Sequence, residues 1–175
     1  MTSKLRLFIS LIDTFIEWTG KTASWLVLGL VLLICYDVAM RYLFQQGSVA
    51  LQELEWHIFA LIFLLGSAYT LKHDEHVRVD ILYQSHFMTD KKRALVNIFG
   101  TVFLLLPFCI LILTSSWPFV VNAFYYNESS PDSGGLPYRF LLKGSLLVAF
   151  SLLILQALAD LARNILIFSN NIEVK

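Results

Sequence analysis

Residues 94–117 read ALVNIFGTVFLLLPFCILILTSSW, twenty-four positions without one charged side chain. A helix rises 1.5 Å per residue and bilayer hydrocarbon is about 30 Å thick, so about 20 apolar residues span it. This block is long enough, and three others resemble it: Thr22 to about Phe44, Leu54 to about Leu71, and Phe140 to about Ile167. In hydrocarbon every backbone N–H and C=O must bond within the chain, which such runs achieve only as helices. The apolar–polar alternation of barrel strands is absent. The sequence therefore predicts an all-α membrane protein, a single membrane domain with four transmembrane helices. Composition agrees, with 57% hydrophobic and 15% charged residues in a chain of 175; soluble domains carry about a quarter charged residues. Thirteen basic and thirteen acidic side chains cancel, so no bulk field favours nucleic acid. Cys35 and Cys109 lie in apolar blocks without CxxC spacing, and read as buried structural thiols.

Before the first block, Leu5, Phe8, Ile9, Ile12, Phe15 and Ile16 recur at helical spacing. Lys4, Arg6, Ser10, Asp13 and Glu17 cover the opposite face. This pattern predicts an amphipathic helix over 3–20 lying in the headgroup plane. A signal peptide also fits a basic start, but no small-x-small cleavage site follows. Lysine and arginine set the orientation. Lys4, Arg6, Lys21, Lys72, Arg78, Lys91, Lys92, Arg93, Arg163 and Lys175 fall on one side, and Arg41, Arg139 and Lys143 on the other. That asymmetry places both termini in the cytoplasm, with connections 45–53 and 118–139 outside. The second of these is rich in proline and glycine and reads as a defined turn.

Charges within and beside the blocks are the candidate functional residues. Asp37 falls inside the first span, where a carboxylate is by default a functional hypothesis. Arg41 stands one turn on and offers a structural ion pair instead. Glu53 and His57 share a face at i and i+4, suited to a cation or a proton. Acids that open a helix also favour its positive dipole end. Glu55 lies on another side, in reach of Arg41 or Arg139 by sequence position. His73-Asp74-Glu75-His76 has metal-ligand letters but lacks the further ligands a site needs, and reads as solvated loop. Pro107 should kink the third span. Gln156, Asp160 and Arg163 make a polar end on the last helix, an anchor or a docking point. No nucleophile with a neighbouring base, glycine-rich phosphate cradle or P-loop occurs, so neither enzymatic activity nor a cofactor is expected.

The order of these motifs carries a resemblance. Met40-Arg41-Tyr42-Leu43-Phe44, the run from Gln52 to Ala60, and Leu64-Leu65-Gly66-Ser67-Ala68-Tyr69-Thr70-Leu71-Lys72 resemble the small membrane subunit of tripartite ATP-independent periplasmic (TRAP) transporters. So do His76-Val77-Arg78-Val79-Asp80 in the inner loop and the run from Glu128 to Pro137 before the last span. The resemblance covers about 22 to 165 and implies two partners in a bacterial inner membrane. One is a large multi-helix membrane subunit carrying the substrate and sodium sites. The other is a periplasmic binding protein that delivers an organic acid, for which Glu128, Asp132 and Tyr138 form a candidate docking loop. Membrane lipids are the remaining partner. The small subunit itself is expected to act as a scaffold. Two other readings stay open: a stand-alone antiporter with Asp37 as its coupling carboxylate, and a membrane anchor holding haem through His57.

Overall fold

Four long helices account for most of the described residues, 2–75 and 89–170 of the computed structural model. α1 spans Thr2–Leu43 and α2 spans Val49–Lys72. α3 runs over Asp90–Tyr125, and α4 is Phe140–Asn170. Each is long and apolar enough to cross a membrane. Ser48 caps α2 by accepting the Leu51 N–H at 3.4 Å. The inner-loop candidates His76, Arg78 and Asp80 lie outside the described residues.

The expected separate helix over 3–20 is not set off from the first span. α1 continues without a break for 42 residues, about 63 Å at 1.5 Å per residue. The reason is where its apolar stripe goes. Ile12 and Ile16 are buried against Ala68 of α2 and Leu152 and Ala159 of α4, so part of the stripe finds protein. Leu7, Phe8, Leu11 and Phe15 remain exposed on the other flank.

Between membrane helices lipid is as apolar as leucine, so close approach and polar bonds decide packing. The buried positions reflect this, being dominated by Ala23, Ala68, Ala94, Ala123, Ala149, Ala157, Ala159 and Ala162. On α4 the buried residues Ser145, Ala149, Leu152, Gln156 and Ala159 recur at alternating spacings of four and three, the seam of left-handed knobs-into-holes packing. Of the residues in its apolar stretch 44% are buried, against 11% or fewer in the other three helices. α4 is thus the spine. α1 and α2 pack on each other and on α4, whereas α3 packs chiefly along α4. Phe108–Phe150 and Phe124–Phe140 ring contacts, with centroids 6.1 and 5.2 Å apart, join α3 to α4.

Proline shapes α3 in two ways. Before Pro107 the helix widens into a π turn over Thr101–Leu105, and the Leu106 N–H bonds the Thr101 carbonyl. A proline ring collides with the carbonyl four residues back, and the wide turn moves that carbonyl aside. Pro118 lies inside the continuing helix, so the connection expected from residue 118 begins after Tyr125. Cys109 is buried as expected, but Cys35 is exposed on the flank of α1.

Gly20 is where α1 and α2 approach most demandingly. A Cβ there would sit 2.1 Å from Tyr69 Cδ2. Gly20→Leu should therefore destabilise the purified chain by about 1–3 kcal/mol, the usual range for overpacking. Adding Tyr69→Ala should recover part of the loss. Thermal unfolding in detergent measures both, and equal melting of Gly20→Leu and wild type would refute the close approach.

Candidate functional site

Polar side chains gather at the two ends of the helices. At the end that holds residues 44–48 and 126–139, Glu53 is 4% exposed. α2 starts four residues earlier at Val49, so Glu53 is not a first-turn ligand of the helix dipole. Instead its carboxylate accepts from the Ser130 hydroxyl and from the Leu136 N–H at 2.6 Å. The loop closes on itself around this anchor. The Ser130 N–H donates to the Leu136 carbonyl at 3.0 Å, and the Arg139 N–H to the Glu128 carbonyl at 2.9 Å. Gly135 is required for that fit, since a Cβ would lie 2.4 Å from Ser130 Oγ and 2.8 Å from Glu53 Oε2. Tyr138 adopts φ 61° as the chain turns into α4, a conformation bulky residues hold only when their surroundings impose it.

The other loop-end candidates have partners of their own. Lys143 bonds Glu128 at 2.5 Å and lies 3.8 Å over the Phe119 ring. Arg139 lies 5.5 Å over Trp56. His57 Nδ1 is 2.5 Å from the Glu53 carbonyl, so its ring meets the backbone rather than the Glu53 carboxylate. Asp37, 1% exposed, forms its ion pair with Arg41. Asp37 Oδ1 and Glu55 Oε1 are buried without a hydrogen-bond donor. Asp132 and Tyr138 stay exposed.

At the opposite end, Arg163 bridges two acids, Asp13 of α1 at 2.8 Å and Asp160 of α4 at 2.6 Å. Gln156 is fully buried and its Nε2 lies 3.4 Å from Asp13 and 3.2 Å from Asp160. Glu17 receives Lys72 at 2.5 Å and faces His73 at 3.1 Å and Lys21 at 3.4 Å. Asn97 of α3 reaches Asn164 of α4 at 3.4 Å. The sequence singled out Gln156, Asp160 and Arg163, and the structure brings them together. It missed Asp13, Glu17 and Ser130 as partners of Arg163, Lys72 and Glu53, because these three bonds join distant segments and no local spacing signals them. Of the metal-like run, His73 turns to Glu17 and His76 lies outside the described residues.

Chemically, these are groups that tie helices together; among the described residues no three His, Cys, Asp or Glu side chains gather as metal ligands. The fold is that of a small multi-pass membrane protein whose sides are apolar and whose charges sit at its ends. Residues 30–166 match the family described as tripartite ATP-independent periplasmic transporters, DctQ component. The chain belongs to that family, a family of transporter components rather than enzymes, and membership implies association with the other TRAP components. No curated protein matches the chain.

Glu53 should act as the latch of the 126–139 loop. Hydrogen bonds to a charged group are worth about 1.5–3 kcal/mol each. Glu53→Ala should then raise the rate of proteinase K cleavage within the loop at least severalfold, with Ser130→Ala giving a smaller rise. Identical cleavage of all three proteins would dismiss the latch.

Proposed function

We propose that the chain is the small membrane subunit of a TRAP secondary transporter in a bacterial inner membrane. It steadies a large elevator subunit for sodium-driven uptake of an organic acid that a periplasmic binding protein delivers. The family match over residues 30–166 carries this reading. The packing supports it: α1, α2 and α3 leave wide apolar faces uncovered, which suits a protein that adds static surface to a larger neighbour. The spans are proposed at 22–44, 54–71, 94–117 and 140–167. Residues 3–20 of α1 continue past the proposed span on the side that holds the termini, with Trp18 nearest the headgroup layer. For docking the binding protein, Glu128 is matched by Lys143, so Asp132 and Tyr138 are the exposed groups of that loop which tune encounter.

The donorless Asp37 Oδ1 favours a second reading, a self-sufficient antiporter with Asp37 as its proton-coupled group. Reconstitution separates the two. Proteoliposomes with the small subunit alone should transport nothing, while those with both membrane subunits, loaded binding protein and a sodium gradient should take up substrate. In that complete system Asp37→Asn should lower the amount of assembled complex and spare turnover per complex. Ion exchange by the small subunit alone, abolished by Asp37→Asn, would overturn the scaffold in favour of the antiporter.

Orientation rests on the basic residues, ten against three in favour of the end that holds the termini. Single cysteines at Gln46 and Ser133 should react with an impermeant thiol reagent in intact spheroplasts. A cysteine at Lys91 should react only after lysis, and the reverse pattern would invert the topology.

A further inference from the structure

We propose that the part of α1 beyond the membrane, on the side of the termini, is a docking face for the large TRAP membrane subunit, which lays a helix along Leu7, Leu11, Phe15 and Trp18. These residues recur at spacings of four, four and three, so they form one stripe on the helix. Leu7, Leu11 and Trp18 are each more than 60% exposed, and Phe15 is exposed as well. The stripe is not the buried one. Ile9, Ile12 and Ile16 turn inward, and Ile12 and Ile16 meet Ala68 and Leu152. Trp18 lies at headgroup level, as does Lys72 at the end of α2, which bonds Glu17 at 2.5 Å. At 1.5 Å per residue Phe15, Leu11 and Leu7 lie about 5, 11 and 17 Å further along α1, on the water side.

Lipid does not cover that part of the stripe. Hydrocarbon ends at the headgroups, and α1 does not bend to lie on them. It is unbroken from Thr2 to Leu43, and Ile12, Ile16 and the Asp13–Arg163 bond at 2.8 Å hold it along α4. Outside the hydrocarbon apolar burial regains its driving force, and an apolar stripe left open to water marks a protein contact. Its course identifies the occupant. The stripe continues through Trp25 and Leu32, one and two heptads on and both exposed, so a helix crossing the bilayer beside α1 meets all of it and a soluble protein does not. Family membership implies association with the other TRAP components, and the periplasmic binding protein works at the opposite end. Lys4 and Lys21 are exposed near the two ends of the water-side stretch, and acids on the covering helix would meet them. Lys21 is available for this, since its nitrogen lies 3.4 Å from a Glu17 that Lys72 already bonds. The docking face rests on the chain being a TRAP small subunit, and adds where the large subunit sits.

Photocrosslinking in membranes of cells producing both membrane subunits tests the face. The photoreactive residue p-benzoylphenylalanine in place of Leu11 or Phe15 should link to the large subunit severalfold more than in place of Arg6, which is exposed on another side of the helix. Leu11→Gln with Phe15→Gln should weaken association of the purified subunits about tenfold or more, as expected from losing buried apolar side chains. The chain alone should melt as wild type does, because both positions are exposed. Lys4→Glu with Lys21→Glu should weaken association less, with an effect that shrinks at high salt. Leu11 linked only within its own chain, to a second copy or to lipid would overturn the docking face, as would unchanged association of the glutamine variant. In both cases the copurified subunits would leave the transporter assignment standing. Failure of the wild-type subunits to copurify would overturn both.

Discussion

Everything in this fold depends on how helices adhere where apolar burial gains nothing. Exchanging lipid contact for protein contact leaves a leucine in much the same surroundings, so helix pairs hold only where backbones come close or polar groups bond across. The seam on α4 meets the first condition with Ser145, Ala149 and Ala159, and Gly20 meets it for α1 and α2. Gln156 meets the second from inside the seam, and Arg163 completes it by joining Asp13 to Asp160. Large side chains are left for the outside. That is why Phe59, Phe63, Phe103 and Leu104 are all more than 60% exposed while alanines fill the interior.

The same constraint separates what the chain does for itself from what it offers to others. Its charges are spent on ties between its own helices: Glu53 on the loop, Glu17 on Lys72, Asp13 on Arg163. The buried one, at Glu53, loses more when one partner is removed than it adds as a pair, because the survivor keeps its desolvation cost, whereas the half-buried pairs lose less. They fix geometry more than they add stability. Between the two tied ends the flanks are apolar, and α3 packs chiefly on α4. A transporter subunit so arranged is stiff along its spine and open along its sides.

Four helices could be read from the sequence because length and apolarity are local properties, and residues 94–117 declare theirs without help. The Asp37–Arg41 pair was equally legible, since both members stand one turn apart. Boundaries were not. Pro118 looks like a stop, yet the helix carries it to Tyr125, and the amphipathic face of 3–20 looks like a surface helix because its burial partners, Ala68 and Leu152, are remote in sequence. Glu53 illustrates the limit best. From sequence it is an acid near a helix start; its actual partners, Ser130 and Leu136, are 77 and 83 residues away. Glu128 looked like an exposed docking charge until Lys143 was found beside it.

The π turn over Thr101–Leu105 has a geometric consequence for α3. A wide turn acts as one residue inserted into an otherwise regular helix, and each residue of an α-helix advances the azimuth by about 100°. The halves of α3 on either side of it are therefore out of phase by about that angle. Asn97 in the first half and Phe108 in the second both reach α4, at Asn164 and Phe150, and the extra residue sets the rotation between the faces carrying them. On the outward side too, the sequence positions that share one stripe shift by one residue across the turn, so a heptad read through residues 94–117 without it would assign the wrong side chains to the face a neighbour meets.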